Sequence, residues 1–180
     1  RLAGMDVRGI ILSGGPSSVY EEDAPLAPDW VWESGIPTLG ICYGMQLMAK
    51  NLAGLVKGAE AREYGYRHVL PVGDDTLVSG LNNYQVWMSH GDQVQEPPPG
   101  FEVTASTDSC PIAAFEDPSK RLYGVQFHPE VTHTAEGRTI LKRFLFDVAR
   151  LRGDWTSESF IEESVEAIRK RVGDRRVLCA

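Results

Sequence analysis

Apolar runs broken by glycine- and proline-bearing turns give this chain the rhythm of an α/β protein. Val7 to Leu12 reads as a short apolar strand, closed by the turn Ser13-Gly14-Gly15-Pro16-Ser17-Ser18. A helix can start at Asp23 or Ala24, with Pro25 near its first position, and run through Asp29-Trp30-Val31-Trp32-Glu33 to Gly35. Ile36 to Leu39 reads as a buried strand, and Met45 to Ala53 as a helix ended by Gly54. Strand, helix, strand, helix in this order predicts a parallel sheet flanked by helices.

The pattern changes between Gly58 and Phe127. Tyr66 to Val72, Tyr84 to Ser89, Phe101 to Thr107, Ile112 to Glu116 and Leu122 to Phe127 are short, strand-like and separated by turn residues. Pro97-Pro98-Pro99-Gly100 breaks hard between two of them. This part predicts mostly antiparallel strands that extend or flank the parallel sheet. Helical spacing returns from Ala135 to Leu151, with Ile140, Leu141, Phe144, Leu145 and Val148 on one face. A second amphipathic helix is predicted from Ser157 to Arg171, with Ser157 as N-cap and Phe160, Ile161, Val165 and Ile168 on its apolar face. Gly153-Asp154-Trp155 reads as a linker, and Arg175 to Ala180 as the start of a buried strand. With no initiator Met and an interrupted last strand, the chain reads as a piece of a longer protein.

Between the second strand and second helix stands Gly40-Ile41-Cys42-Tyr43-Gly44. A nucleophile between glycines at a strand-to-helix turn is the elbow arrangement, here with Cys in place of Ser. The helix N-terminus behind it brings a positive dipole end to the sulfur and favours thiolate. A lone Cys in an apolar run is otherwise a small core residue. His128 follows an apolar strand, Pro129 forces the chain to turn, and Glu130 comes two positions after the imidazole it can orient. A His after a strand is by itself only a capping or packing residue. Cys42 makes the set a Cys-His-Glu triad.

Ser13-Gly14-Gly15-Pro16 is either a plain strand-end turn or a source of free N–H groups facing the Cys42 crevice. A Gly15 N–H together with that of Tyr43 would make an oxyanion hole. The turn is no phosphate loop, because it lacks the following Lys-Ser/Thr. Ser89-His90-Gly91-Asp92 is either an ordinary turn with a surface His or a substrate-binding segment. Gln46, on the first helical turn after Cys42, can hydrogen-bond an amide or a carboxylate. Met45, Leu47 and Met48 read as core, His68 as a strand-surface residue, and His133 has no evident partner in sequence.

Composition narrows the classes. The chain has 180 residues, 42% hydrophobic and 24% charged, which is ordinary for a globular domain. A net charge of −7 speaks against a nucleic-acid or anionic-membrane surface. The basic run Arg169-Lys170-Arg171 with Arg175-Arg176 reads as a solvated helix face and turn. Three cysteines, Cys42, Cys110 and Cys179, form neither a disulfide framework nor a metal-ligand spacing, so no metal is expected. No apolar run reaches transmembrane length, and a reduced thiol fits a cytoplasmic compartment.

Four segments in register carry a resemblance: Ser13-Gly14-Gly15-Pro16, Gly40-Ile41-Cys42-Tyr43-Gly44-Met45-Gln46, Trp87-Met88-Ser89-His90-Gly91-Asp92, and Phe127-His128-Pro129-Glu130-Val131-Thr132-His133-Thr134. The chain resembles the class I glutamine amidotransferase family over nearly its whole length. Tyr43 and the Val131-Thr132-His133-Thr134 run resemble the GMP synthetase branch more than the anthranilate or carbamoyl-phosphate branches. The resemblance implies a flavodoxin-like α/β fold over residues 1–152, lacking its first strand and helix. It implies that residues 153–180 are a linker, helix and first strand of a truncated ATP pyrophosphatase domain. It implies Cys42 as nucleophile, His128 as base and acid, Glu130 as orienter, and Gly15 and Tyr43 as the oxyanion hole. Gln46 and Ser89, His90, Gly91 and Asp92 would hold glutamine. No cofactor is implied in this stretch, ATP, Mg and XMP belonging to the missing domain, and full-length members often pair as homodimers. Two alternatives stay open: another Cys-His-Glu amide or γ-glutamyl hydrolase, and a non-catalytic amidotransferase-like binding module.

Overall fold

The computed structural model describes residues 4–72, 77–81, 85–153, 157–173 and 175–177. Strand β1 is Ile10–Leu12, helix α1 Trp30–Glu33, β2 Thr38–Ile41, and α2 Tyr43–Asn51. A long antiparallel ribbon follows, β3 (Leu55–His68) against β5 (Gln85–Glu96), with the short β4 (Leu70–Pro71) between them in sequence. Strands β6 (Glu102–Ser106), β7 (Ala114–Asp117) and β8 (Leu122–Val125) complete a six-stranded sheet of order β1-β2-β8-β7-β6-β4. β1, β2 and β8 are parallel neighbours, and β7, β6 and β4 add antiparallel pairs. Because β6 opposes β7, it runs with the parallel set. The predicted parallel sheet with an antiparallel extension is the fold observed.

Helix α2 covers one face of this sheet. Its Met45, Met48 and Ala49 pack with Leu122 and Phe115, while Leu39, Ile41, Tyr123 and Val125 point to the other face. There they meet Ile140 of α3 (Gly137–Lys142) and Phe144 and Val148 of the π-helical segment Arg143–Val148. The wider turn is closed by Ala149 N–H donating to Phe144 O at 2.8 Å. The helix predicted from 135 to 151 is observed over 137–148, this wider turn forming its last part with both Phe144 and Val148 buried.

Close approach of α2 depends on glycines facing it. A Cβ on Gly40 would stand 2.6 Å from the Gly44 backbone, and one on Gly124 2.8 Å from Met45 Cγ. A Cβ on Gly44 would stand 2.1 Å from Leu12 O, a backbone atom of β1 that cannot swing aside. Gly44→Ala should therefore cost about 3 kcal/mol, the upper end of ordinary overpacking. Gly58→Ala, with nothing nearer than 3.8 Å, is the control. Equal denaturation midpoints for the two variants would contradict this packing.

Several elements differ from their sequence reading. The first helix is one turn, Trp30–Glu33, and does not start near Pro25. Pro28 has no N–H to donate and biases the residue before it away from helix, so regular structure begins only after it. Strand β2 extends to Ile41 and α2 starts at Tyr43, which leaves Cys42 alone at the junction. The ribbon strand β3 begins at Leu55, well before the predicted Tyr66. Tyr84, read as a strand start, lies outside the described residues. β5 runs on from Gln85 through Ser89-His90-Gly91-Asp92, so that segment is strand and not turn. Helix α4 (Ser157–Val172) forms as expected, but Phe160, Ile161 and Ile168 on its apolar side are exposed. The expected buried strand from Arg175 is not formed across 175–177, where Val177 is exposed; Leu178, Cys179 and Ala180 lie outside the described residues. Among the described residues no helix is long and apolar enough to cross a membrane.

Candidate active site

Cys42 sits at φ 51° and ψ −106°, a positive φ rare for a residue with a side chain. Such strain costs on the order of 1–3 kcal/mol and persists only where the surroundings impose it. Here Cys42 N–H donates to Val125 O of β8 at 2.8 Å, and Cys42 O accepts the first bond of α2 from Gln46 N–H at 3.1 Å. The residue is thus tied to the sheet on one side and the helix on the other. Its thiol donates toward Ser89 O at 3.7 Å.

His128 follows β8 beyond Gln126 and Phe127. Its N–H donates to Trp87 O at 3.0 Å, and its O accepts from Thr134 Oγ1 at 2.5 Å. That same Oγ1 accepts from Trp87 N–H at 3.1 Å, so Thr134 staples the His128 segment to β5. Nδ1 of the ring lies 2.7 Å from Glu130 Oε1, which makes Nδ1 the donor to the carboxylate. Nε2 is left as the free nitrogen, buried and without a hydrogen-bond partner. A Cβ on Gly14 would stand 2.8 Å from His128 Cε1 and 3.5 Å from Cys42 Cβ, so imidazole and nucleophile meet over this bare backbone. The predicted trio of Cys42, His128 and Glu130 comes together across two strand ends.

The sulfur departs from expectation in its ionisation. Burial pushes the Cys42 thiol up to about 11, and the Glu130 charge adds to the rise. The Tyr43 N–H at the helix start and the Gln126 side chain pull the other way and are outweighed. The helix end therefore acts in the predicted direction, but desolvation of a buried thiolate is the larger effect. The resting group is a thiol.

Cys42 and His128 open onto a cleft of about 560 Å³, also lined by Gly15, Gln46 and the Ser89-His90-Gly91-Asp92 stretch. The predicted substrate residues therefore all reach one cavity. Gly15 packs against the Tyr43 ring, where its Cβ would be 3.7 Å away. Gln46 is buried, and its Nε2 donates to Asp92 O at 2.7 Å and to Gln126 Oε1 at 3.2 Å. His90 is no surface residue: it is buried, with Nδ1 3.0 Å from Asp92 O and Nε2 3.0 Å from Glu63 Oε2. Burial pushes its imidazolium down, with the Glu63 charge opposing.

Glu63, Gln126 and the acidic cleft residue Glu21 escape a reading of the sequence alone, and Thr134 is legible there only as part of the resemblance segment. Of the first three only Gln126 leaves a signal, an amide inside the apolar run that ends at Phe127. His133, without a partner in sequence, packs on Trp87 with ring centroids 4.6 Å apart and lies 5.8 Å from Tyr66. His68 is on the strand surface as read. Glu63, His90 and Cys110 place donor atoms within 4.8 Å of one another, a metal-like set that no sequence spacing announces. Its chemistry is already satisfied internally. Glu63 accepts from Ser109, Thr107 and Arg67, and the Cys110 thiol donates to Ile112 O at 3.4 Å.

The family model for class I glutamine amidotransferases matches residues 2–148. The chain belongs to the class I glutamine amidotransferase family. Curated relatives include the GMP synthase [glutamine-hydrolyzing] of Geobacillus kaustophilus, 53% identical over 98% of this chain and 35% of the relative. That of Thermomicrobium roseum is 55% identical over 96% of this chain and 33% of the relative. The chain thus spans about a third of the length of these relatives. A solved Thermoplasma acidophilum protein, described as a candidate component of GMP synthase, superposes with a TM-score of 0.69. It is 28% identical and is matched over 91% of this chain and 78% of its own. A Thermotoga maritima glutamine amidotransferase, at 23% identity and a TM-score of 0.58, shares the amidotransferase fold.

Proposed function

We propose that this chain is the glutamine-hydrolysing half of a GMP synthetase, supplying ammonia for the ATP-dependent amination of XMP. The strained Cys42 elbow beside the free Nε2 of His128 carries this reading, and the high identity to curated GMP synthases supports the branch. Cys42 Sγ attacks the carboxamide carbon of glutamine as His128 Nε2 takes the thiol proton. The imidazolium, steadied by Glu130, passes that proton to the departing ammonia and leaves a glutamyl thioester. His128 then takes a proton from water, whose oxygen attacks the thioester. Glutamate departs, and the proton returns to sulfur. Acid–base help of this kind is worth about 10²–10⁴-fold.

Gly15 and Tyr43 N–H groups hold the oxyanion, each worth about 3–4 kcal/mol to the transition state. Gln46, Ser89, His90, Gly91 and Asp92 form the glutamine-binding wall. The cleft is lined by the acidic residues Glu21 and Asp92 and by no Lys or Arg among the described residues, a charge balance that suits the α-ammonium of an amino acid. This half works without a cofactor. Residues 153–180 lead, through a linker and helix α4, into the synthetase domain, which would hold ATP, Mg and XMP. The complete protein is a cytoplasmic homodimer.

A glutamine-mimicking electrophile tests the reading. Offered to the complete protein, it should form an adduct at Cys42, located by mass spectrometry, and excess glutamine should block it. Modification of Cys110 at the same rate, or no protection by glutamine, would remove the glutaminase assignment.

A further inference from the structure

Glu63 of β3 is 1% exposed, yet it takes no part in the chemistry above. A buried carboxylate is costly unless its charge is met. Oε1 accepts from Ser109 Oγ, from Thr107 Oγ1 at 3.3 Å and from Arg67 Nε at 3.3 Å, while Oε2 faces His90 Nε2 at 3.0 Å. His90 Nδ1 in turn lies 3.0 Å from Asp92 O, the same oxygen that receives Gln46 Nε2 at 2.7 Å. One line of polar contacts therefore crosses from β3 through β5 to α2, directly behind the cleft.

The ribbon explains why this line matters. Gly58 pairs with Asp92 and Glu63 pairs with His90, so the segment 59–62 of β3 stands opposite Gly91 alone. A bulge of this kind interrupts the ladder and leaves the facing strand without its regular partners. The interruption falls at Gly91, inside the Ser89–Asp92 stretch that lines the cleft. Side-chain bonds must set the shape of β5 where backbone bonds do not.

We propose that Glu63 is a positioning residue for substrate recognition: through His90 it fixes the Asp92 carbonyl and holds the β5 wall of the cleft in the form that receives the amino-acid end of glutamine. The inference rests on the glutaminase reading. Glu63 touches no substrate and acts through His90.

The test compares the complete protein with its Glu63→Gln, Glu63→Ala and Cys110→Ala variants, following glutamate release with XMP and ATP present. Glu63→Ala should raise the KM for glutamine about tenfold, the usual consequence of losing hydrogen bonds to a charged group. Its kcat should change by less than about threefold, because the wall binds ground state and transition state alike. Glu63→Gln should lie between it and the parent, since an amide keeps the acceptor for Thr107 and Ser109 and offers an N–H to His90. Alkylation of Cys42 by iodoacetamide, which carries no amino-acid end, should match the parent in both variants. Cys110→Ala, in the same buried cluster but off the polar line, should leave KM unchanged. An unchanged KM in both Glu63 variants would overturn the proposal. So would a joint fall of kcat and Cys42 alkylation, which marks general loosening. A parent protein without glutamine-saturable glutamate release would instead overturn the glutaminase reading beneath it.

Discussion

Cys42→Ala is expected to eliminate glutamine-dependent GMP formation by the complete protein while sparing the reaction fed by ammonium. The two halves of that expectation come from different parts of the molecule. Loss of a nucleophile that acts as a unit with its base typically removes on the order of 10⁶-fold of kcat. No other thiol among the described residues can stand in: Cys110 is fully buried and does not line the cleft. Alanine also keeps the positive-φ junction nearly as it is, because it has the same Cβ constraint at φ 51° as cysteine. The sheet, the helix and the cleft wall should therefore survive, and with them any surface that contacts a second domain. Initial rates with saturating glutamine and, separately, with ammonium chloride at alkaline pH decide the matter. A glutamine-dependent rate that persists in the variant would sink the thioester mechanism. A parallel loss of the ammonium reaction would assign Cys42 a structural role.

The elements legible in sequence are those whose cause is local. The elbow announces itself through Gly40 and Gly44, whose missing side chains let α2 close on β1 and β2. Glu130 is legible because two residues of spacing suffice to bring its carboxylate 2.7 Å from Nδ1 of His128. His90 is ambiguous because its partner Glu63 lies 27 positions away and reaches it only across the ribbon. The first helix is shorter than its signals because Pro25 is a valid start, whereas Pro28 three residues later forbids what should follow. The state of the sulfur differs from its local cues for a related reason. A dipole can be read from the neighbouring sequence, but the desolvation that outweighs it arises from the whole fold packed around Cys42.

That thiol makes the consequence of removing His128 specific. With the sulfur held near 11, only on the order of one molecule in a thousand carries a thiolate at pH 8 in the free site. The parent evades this by transferring the proton to Nε2 during attack. His128→Ala should lower glutamine turnover by about 10³–10⁴-fold, near the upper end of acid–base contributions. Its residual activity, and the alkylation of Cys42 by a small electrophile, should climb about tenfold per pH unit toward 11, because the thiol must now ionise unaided. Glu130→Gln should lose less, because this half-exposed carboxylate is partly screened by water and only orients the ring. Rapid alkylation across pH 6 to 11 in all three proteins provides the measurement. An alkylation profile in His128→Ala that overlays the parent would show that this imidazole does not take the Cys42 proton. The base would then have to be sought among the other groups of the cleft, where His90 has both ring nitrogens already engaged.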